Sequence, residues 1–165
     1  MAFDAFLKID GIPGESKDSN HKDWIEIVSY SHGVSQPSSA TASSSGGAST
    51  ERVSFGRFNI TKLIDKATPL IFEACCTGRH IKEVTLEVCR AGGEKQKYLE
   101  IKMEQVLIAE HTHAGNEDAS SEFPAERVAF VPGRFNITYS QQNREDGTLA
   151  GNVSAGWDCI TNKKC

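Results

Sequence analysis

A single helix signal in a chain of short strands is the feature that most constrains the fold. It lies within the segment 52–89, where Thr68 and Pro69 predict a helix start. The threonine hydroxyl can cap the first turn, and a proline at the first helical position loses no hydrogen bond. Gly78 predicts the helix end because glycine readily takes the left-handed conformation, and 61–66 is compatible with a shorter preceding turn. A lone helix between strands must dock on one sheet or close one end of a barrel, so we expect it to anchor the core.

Most of the remaining chain alternates apolar and polar residues over short segments, which predicts strands with one buried face. We predict strands at 3–9, 24–32, 53–60, 84–89, 98–108, 128–130, 135–139 and 153–159, and a short polar tail at 162–165. The strand at 24–32 carries apolar groups on both faces, so we expect core on one side and core or a neighbouring subunit on the other. The alternation slips by one at Glu104 and Gln105, which predicts a β-bulge and a curled sheet. Seven or eight strands with one helix favour a β-barrel or a β-sandwich.

The composition is that of a soluble globular protein, and the length of 165 residues favours one domain, 1–165. Lysines and arginines are scattered and the net charge is −4, so nucleic-acid binding is disfavoured. No apolar run is long enough to span a membrane. The N-terminus, with Asp4 and Asp10 and no continuous apolar region, is not a cleaved secretion signal. Five cysteines, an odd number, are most simply free thiols.

The segment at about 35–52 is rich in serine and glycine and cannot bury enough surface to fold by itself. It is either a flexible surface loop or an extended arm that becomes ordered against another subunit. The sequence leaves both interpretations open.

The only candidate metal site is the pair His111 and His113, which on a strand would present both imidazoles on one face. Zinc sites need three or four ligands, and nearby acids, Glu110, Glu117 and Asp118, could complete one. The pair falls where the strand pattern gives way to a polar loop at 111–124, so we interpret it as two solvated loop histidines. No nucleophile motif or phosphate-binding loop is present, and we predict no catalytic, metal or cofactor residue.

Two alternatives from other functional classes remain. One is a small metal-dependent β-barrel enzyme that uses His111 and His113. The other is a carbohydrate-binding β-sandwich, for which Trp24 and Trp157 would have to be exposed as stacking platforms.

Five segments, in order along nearly the whole chain, resemble the haemolysin-coregulated protein (Hcp) family. They are GIPGESKD with the following HKDWIEIVSYSHGVSQP (11–37), FNITKLIDKATPL (58–70), ACCTGRH (74–80), TLEVCRAGGE (85–94), and the ending from Tyr139 to Asp158. The loop 109–123 and the cysteines at 75, 76 and 159 differ from typical members.

The resemblance implies a mainly β fold: an antiparallel β-barrel of two curled sheets with one flanking helix, assembled as a hexameric ring. Rings of this family stack into the inner tube of the type VI secretion system, and sheath contraction expels the tube. The implied partners are further copies of the chain, the valine-glycine-repeat spike protein, the contractile sheath, and effector proteins carried and chaperoned in the lumen. The protein would be cytoplasmic before firing and then secreted without a signal peptide. No enzyme activity or cofactor is implied.

The strand pattern and the implied ring together predict which residues face the lumen and which lie between subunits. Ser31 is small, lies mid-strand, and alternates with Tyr30 and His32, so we predict that it faces the lumen. The two-sided strand and the arm that follows it supply the predicted subunit-interface residues: Trp24, Tyr30, Gln36, Pro37, Thr50 and Arg52.

Overall fold

The computed structural model describes residues 3–37, 52–92, 95–115, 123–143 and 145–165. Within these ranges helix α1 spans Thr68–Thr77. The strands are β1 (Phe3–Ile9), β2 (Ile25–Ile27), β3 (Ser29–Ser31), β4 (Val34–Ser35), β5 (Ser54–Phe55), β6 (Phe58–Leu63), β7 (Ile81–Arg90), β8 (Lys97–Ala114), β9 (Ala125–Val131), β10 (Arg134–Gln142), β11 (Leu149–Asp158) and β12 (Lys163–Lys164). The predicted arm lies mostly outside the described residues.

The strands form two antiparallel sheets that share β8. The large sheet has the order β12-β11-β10-β8-β7-β1-β2, and the small sheet has the order β8-β9-β6-β3. Strands β4 and β5 form a separate two-stranded ribbon. The predicted mainly β architecture of two curled sheets with a flanking helix is confirmed.

The two sheets meet at two corners, where strands pass from one sheet to the other. One corner lies within β8 at Gln105, which has a φ of +52°, and the Gly133 N–H donates to the carbonyls of both Glu104 and Gln105 at 3.0 Å. The slip in alternation therefore marks a real bend of the strand, whereas the bulge of β8 lies farther along, between Ile108 and Glu110, opposite β9. At the other corner, Val28 alone separates β2 from β3, and its N–H donates to the Thr61 carbonyl at 2.8 Å. The predicted strand 24–32 is thus broken at Val28, because its two halves belong to different sheets.

Apolar side chains from the inner faces of both sheets fill one core. The largest of those fully buried are Leu7, Ile25, Phe58, Ile60, Leu86, Met103 and Phe130. Helix α1 packs against β8 and contributes Ile71 and Ala74, so it anchors the core as predicted.

The helix start differs from the prediction, whereas its end does not. Gly78 takes the left-handed conformation at φ +62°, as predicted. Ala67, however, occupies the N-cap position, and the Thr68 hydroxyl accepts from the Asp65 N–H at 3.1 Å and donates to Glu126 at 2.9 Å. The hydroxyl is therefore used by a buried network instead of by the helix terminus.

Other boundaries also differ from the sequence prediction. The predicted strand 53–60 is two strands, because β5 pairs with β4 in the ribbon and β6 belongs to the small sheet. Strand β6 runs on to Leu63, so no helical turn forms at 61–66. Strand β8 continues through Ala114, because β9 pairs with it as far as that residue, so the two histidines lie on a strand and not in a loop. The predicted polar tail contains β12, which pairs with the end of β11.

Candidate functional site

The outward face of the small sheet is a polar groove of about 390 Å³ built from short side chains. Ser31 is exposed on this face and pairs in register with Asn59 of β6. The groove is lined by Ser29, Ser31, Asn59, Thr61, Glu110, Arg127 and Ala129 together with neighbouring backbone. The inward residues of the same strands form part of the core. This sheet therefore has one buried, largely apolar face and one exposed face that is hydrophilic at its centre, with exposed Leu63, Leu107 and Val131 toward its ends.

Three charged groups lie on or beside this outward face. Arg57 and Glu110 form an exposed ion pair at 3.4 Å. Arg127 lies on β9 between Thr61 and Thr112 in register, and it forms no ion pair with any residue that the structure describes. Among the residues that the structure describes, two arginines and one glutamate give this face a net positive charge, although the whole chain carries −4.

Both edges of the small sheet lack a strand partner within the described ranges. Strand β3 pairs only with β6, and the 107–114 half of β8 pairs only with β9. Open edges expose backbone N–H and C=O groups that readily pair with another chain. A sheet with two open edges can therefore pair one edge with the opposite edge of another copy, in a head-to-tail arrangement.

Strands β10 and β11 extend the large sheet beyond the barrel and expose apolar side chains. Ile137 and Tyr139 pair in register with Ala155 and Val153, and the Val153 side chain is 72% exposed. We call this surface the apolar wing. Contiguous exposed apolar area is unusual on a monomeric protein and marks an interaction surface.

A second cavity, of about 330 Å³, lies between the wing and the β4–β5 ribbon. Gln36 lines it, and Arg52 lies near one end of the wing, where its guanidinium donates to the Cys159 carbonyl at 2.9 Å. The His32 ring also lines the cavity and stacks on Phe135 with ring centroids 4.3 Å apart, and burial lowers the pKa of this histidine.

The other predicted interface residues are dispersed over the fold. Trp24 is half-buried against the His21 ring and lies 5.9 Å from the Lys8 ammonium. Tyr30 points inward and stacks on Phe58, and burial raises its pKa. Pro37 is exposed, and Thr50 lies outside the described part of the chain. The structure does not bring these residues together into one patch.

A buried charge cluster that the strand pattern does not predict lies between α1 and the small sheet. Lys62 and Glu126 form an ion pair with both side chains fully buried, and the Lys62 ammonium also contacts Asp65 at 2.8 Å. His111 bonds to the other oxygen of Glu126 at 2.6 Å. Burial alone would raise the pKa of Glu126, but hydrogen bonds from His111 and Lys62 hold it below its usual value. Lysine and glutamate are rarely buried, so alternation alone does not predict the pair.

A second cluster surrounds His21 beside β1 and β7. Its two ring nitrogens lie 2.8 Å from Asp18 and 2.7 Å from Glu87, and the ring stacks on Phe6. The hydrogen bond from His21 is the main cause that lowers the pKa of Asp18 to about 2. Both clusters join distant parts of the chain, which indicates structural roles.

Neither alternative function finds support in this geometry. His111 is committed to Glu126, and no group of three or more metal-binding side chains occurs in the ranges that the structure describes. Trp24 and Trp157 are half-buried, and the Trp157 indole nitrogen is inaccessible to solvent, so neither ring is a free stacking platform. The five cysteines are free thiols. No helix in the described ranges is long and apolar enough to span a membrane.

This chain is similar in sequence to proteins of one known family. A family model described as "Type VI secretion system effector, Hcp" matches residues 6–139. The chain is 33% identical over 163 residues to protein hcp1 of Pseudomonas aeruginosa, and the match covers 98% of each sequence.

Solved structures give the same result. One described as a type six secretion system protein superimposes with a TM-score of 0.92 at 28% identity, covering 99% of this chain and all of the other. Hcp1 from Salmonella typhimurium superimposes with a TM-score of 0.81 at 31% identity, covering the whole of both chains. A type VI secretion system effector from Yersinia pestis gives a TM-score of 0.75 at 30% identity, covering 94% of this chain and 99% of the other.

Proposed function

The chain belongs to the Hcp family of the type VI secretion system, and we propose that six copies close into a ring that forms one layer of the secreted inner tube. The observation that carries this proposal is the pair of open edges on the small sheet. Pairing β3 of one copy with the 107–114 half of β8 of the next joins the small sheets head to tail. Such a heterologous contact closes into a ring when the rotation between copies fits, and closure removes every open edge of that sheet.

The apolar wing supports the same assembly. A surface that includes Ile137, Tyr139 and Val153 gains free energy when another protein covers it, at about 25 cal/mol per Å² of apolar area. In the proposed ring, the protein that covers this surface is the neighbouring copy, because every subunit has one. Of the predicted interface residues, Gln36 and Arg52 lie beside this wing, which favours their contact with the neighbouring copy. The interface roles of Trp24, Tyr30, Pro37 and Thr50 stay predictions.

Joining the small sheets edge to edge turns their polar faces toward a central channel. Ser31 then faces the lumen, together with Asn59 and the other short side chains of the groove. A channel wall of short polar groups offers little apolar surface, so a folded protein can be held and still slide out. This supports a role as carrier and chaperone of effector proteins, with no catalytic step.

The partners follow from the same proposal. Rings stack on further copies of the chain, the valine-glycine-repeat spike protein sits at the tip, and the contractile sheath surrounds the tube. The protein would leave the cytoplasm through this machine. We propose that the whole chain acts as one domain, because both sheets enclose one apolar core.

Native mass spectrometry and negative-stain microscopy of the purified protein test the proposed ring. We expect a species of about 108 kDa, six times the 18.0 kDa of one chain, and ring-shaped particles with a central channel. A monomer at micromolar concentration, or a two-fold dimer without a channel, would show the proposal to be wrong.

A further inference from the structure

We propose that Arg127 is the main contact residue of the channel wall for cargo, and that this wall selects proteins that present carboxylate side chains. The inference rests on the proposed function, because the outward face of the small sheet becomes a channel wall only in the ring. It goes further by stating the chemistry of the partner.

Arg127 is placed to bind an acidic group from solution. It is exposed on β9, near the middle of the small sheet, and Thr61 and Thr112 flank it in register. A guanidinium presents five N–H donors in a planar fork that matches the two oxygens of a carboxylate. The Thr61 hydroxyl can donate a further hydrogen bond to the same group, whereas the Thr112 hydroxyl already donates to Glu110 at 3.4 Å.

Of the two arginines on this face within the described ranges, only Arg127 has no carboxylate partner. Arg57, on the same face, is paired with Glu110 at 3.4 Å. Arg134, on the large sheet, is paired with Asp158 at 3.0 Å and Glu104 at 3.5 Å. Forming a contact with cargo therefore costs Arg127 no existing ion pair.

Ring closure multiplies this single charge. Each copy contributes one uncompensated arginine to a wall whose other groove residues are short and mostly uncharged, so the channel carries a positive belt inside an acidic protein. A channel lined by one sign of charge concentrates ligands of the opposite sign. An exposed ion pair is individually weak and screened by salt, so acidic cargo would be retained by several weak contacts and released without a large barrier.

The experiment measures binding of a short fluorescein-labelled peptide of alternating glutamate and alanine to intact rings, by fluorescence anisotropy. A peptide of alternating glutamine and alanine serves as the uncharged probe. Arg127→Gln removes the proposed contact. Arg90→Gln removes the same charge from an exposed arginine at the end of β7, outside the groove. Glu110→Gln frees Arg57 and should have the opposite effect.

We expect the glutamate peptide to bind wild-type rings more tightly than the glutamine peptide, and to bind more weakly at high salt. Arg127→Gln should weaken binding about threefold or more, Arg90→Gln should leave it unchanged, and Glu110→Gln should strengthen it. Equal binding of the two peptides, or equal effects of Arg127→Gln and Arg90→Gln, would overturn the inference. Sedimentation velocity on each sample separates the two proposals: missing rings contradict the assembly, whereas intact rings without charge selection contradict only the role of Arg127.

Discussion

Lys62 and Glu126 form an ion pair at the end of the barrel with neither side chain exposed to solvent. Thr68 at the start of α1 donates to the same glutamate oxygen, and His111 of β8 bonds to the other. One glutamate from β9 thus joins the helix, β6 and β8. These contacts fix the position of the helix against the sheet that we propose as the channel wall.

Removing one partner of this pair should be costly. Lys62→Met leaves Glu126 buried with only His111 and Thr68 as partners, and breaking a buried pair typically costs about 3–5 kcal/mol. We expect a loss of this size in the free energy of unfolding, measured by urea denaturation at fixed protein concentration. Lys102→Met is the matched control, because it breaks an exposed pair with Glu83 at 3.5 Å and should cost less than about 1 kcal/mol. Equal losses for the two variants would contradict the structural role of the buried pair.

Asp18 should give the protein a stability contribution that disappears in acid. The His21 hydrogen bond lowers the pKa of Asp18 from 3.8 to about 2, so the folded state favours the carboxylate. A depressed pKa stabilises the fold above the ordinary value, and the contribution is lost as the pH falls from about 4 to 2. Asp18→Asn should therefore lower the free energy of unfolding by about 1–3 kcal/mol at pH 7, with the difference from wild type closing over that range.

The control for this pH dependence is Asp10→Asn, since Asp10 is exposed and its carboxylate has no partner in the described part of the chain. That variant should change stability little at pH 7. A difference between Asp18→Asn and wild type that stays constant from pH 7 to 2 would refute the assignment.

Gly14 should tolerate no side chain. A Cβ at this position would lie 2.3 Å from the Trp24 carbonyl oxygen, and the backbone on both sides is held by the Gly14 N–H bond to the Asp23 carbonyl at 2.7 Å. We expect Gly14→Ala to lower the melting temperature by an amount equivalent to about 1–3 kcal/mol, because the loop must move away from β2. Gly92→Ala has no atom within 4 Å of its new Cβ and should leave the melting temperature nearly unchanged. If both substitutions left the melting temperature unchanged, the close packing of Gly14 against the Trp24 backbone would be contradicted.

The apolar wing should be essential for the ring but not for the fold. Val153 is 72% exposed in the single chain, so Val153→Asp should leave the secondary structure unchanged by circular dichroism. In the ring, burying the new carboxylate without a partner costs several kcal/mol, and sedimentation velocity should show monomers. Asn152→Asp adds the same charge on the opposite face of β11 and should keep the ring intact. Rings that survive Val153→Asp would exclude the wing from the interface.

The sequence predicted the parts of this fold that depend on local pattern. Helix α1 followed from the proline near its start and Gly78 at its end, and the bend in β8 followed from the slip in alternation at Gln105. The buried cluster could not be predicted in this way, because Lys62 and Glu126 are 64 residues apart and both are residue types normally found in solvent. The position of His111 on a strand depends on the pairing of β8 with β9, which local alternation does not specify. The break at Val28 likewise depends on which sheet receives each half of the strand, which is set by tertiary structure.

Cryo-electron microscopy of the purified ring tests the central claim most directly, because it shows which surface lines the channel and which strands meet between copies. We predict a six-fold ring in which Ser31 and Arg127 face the channel and β3 of each copy pairs with the 107–114 half of β8 of its neighbour. A ring in which helix α1 lines the channel, or in which the two edges of the small sheet remain unpaired, would contradict the account.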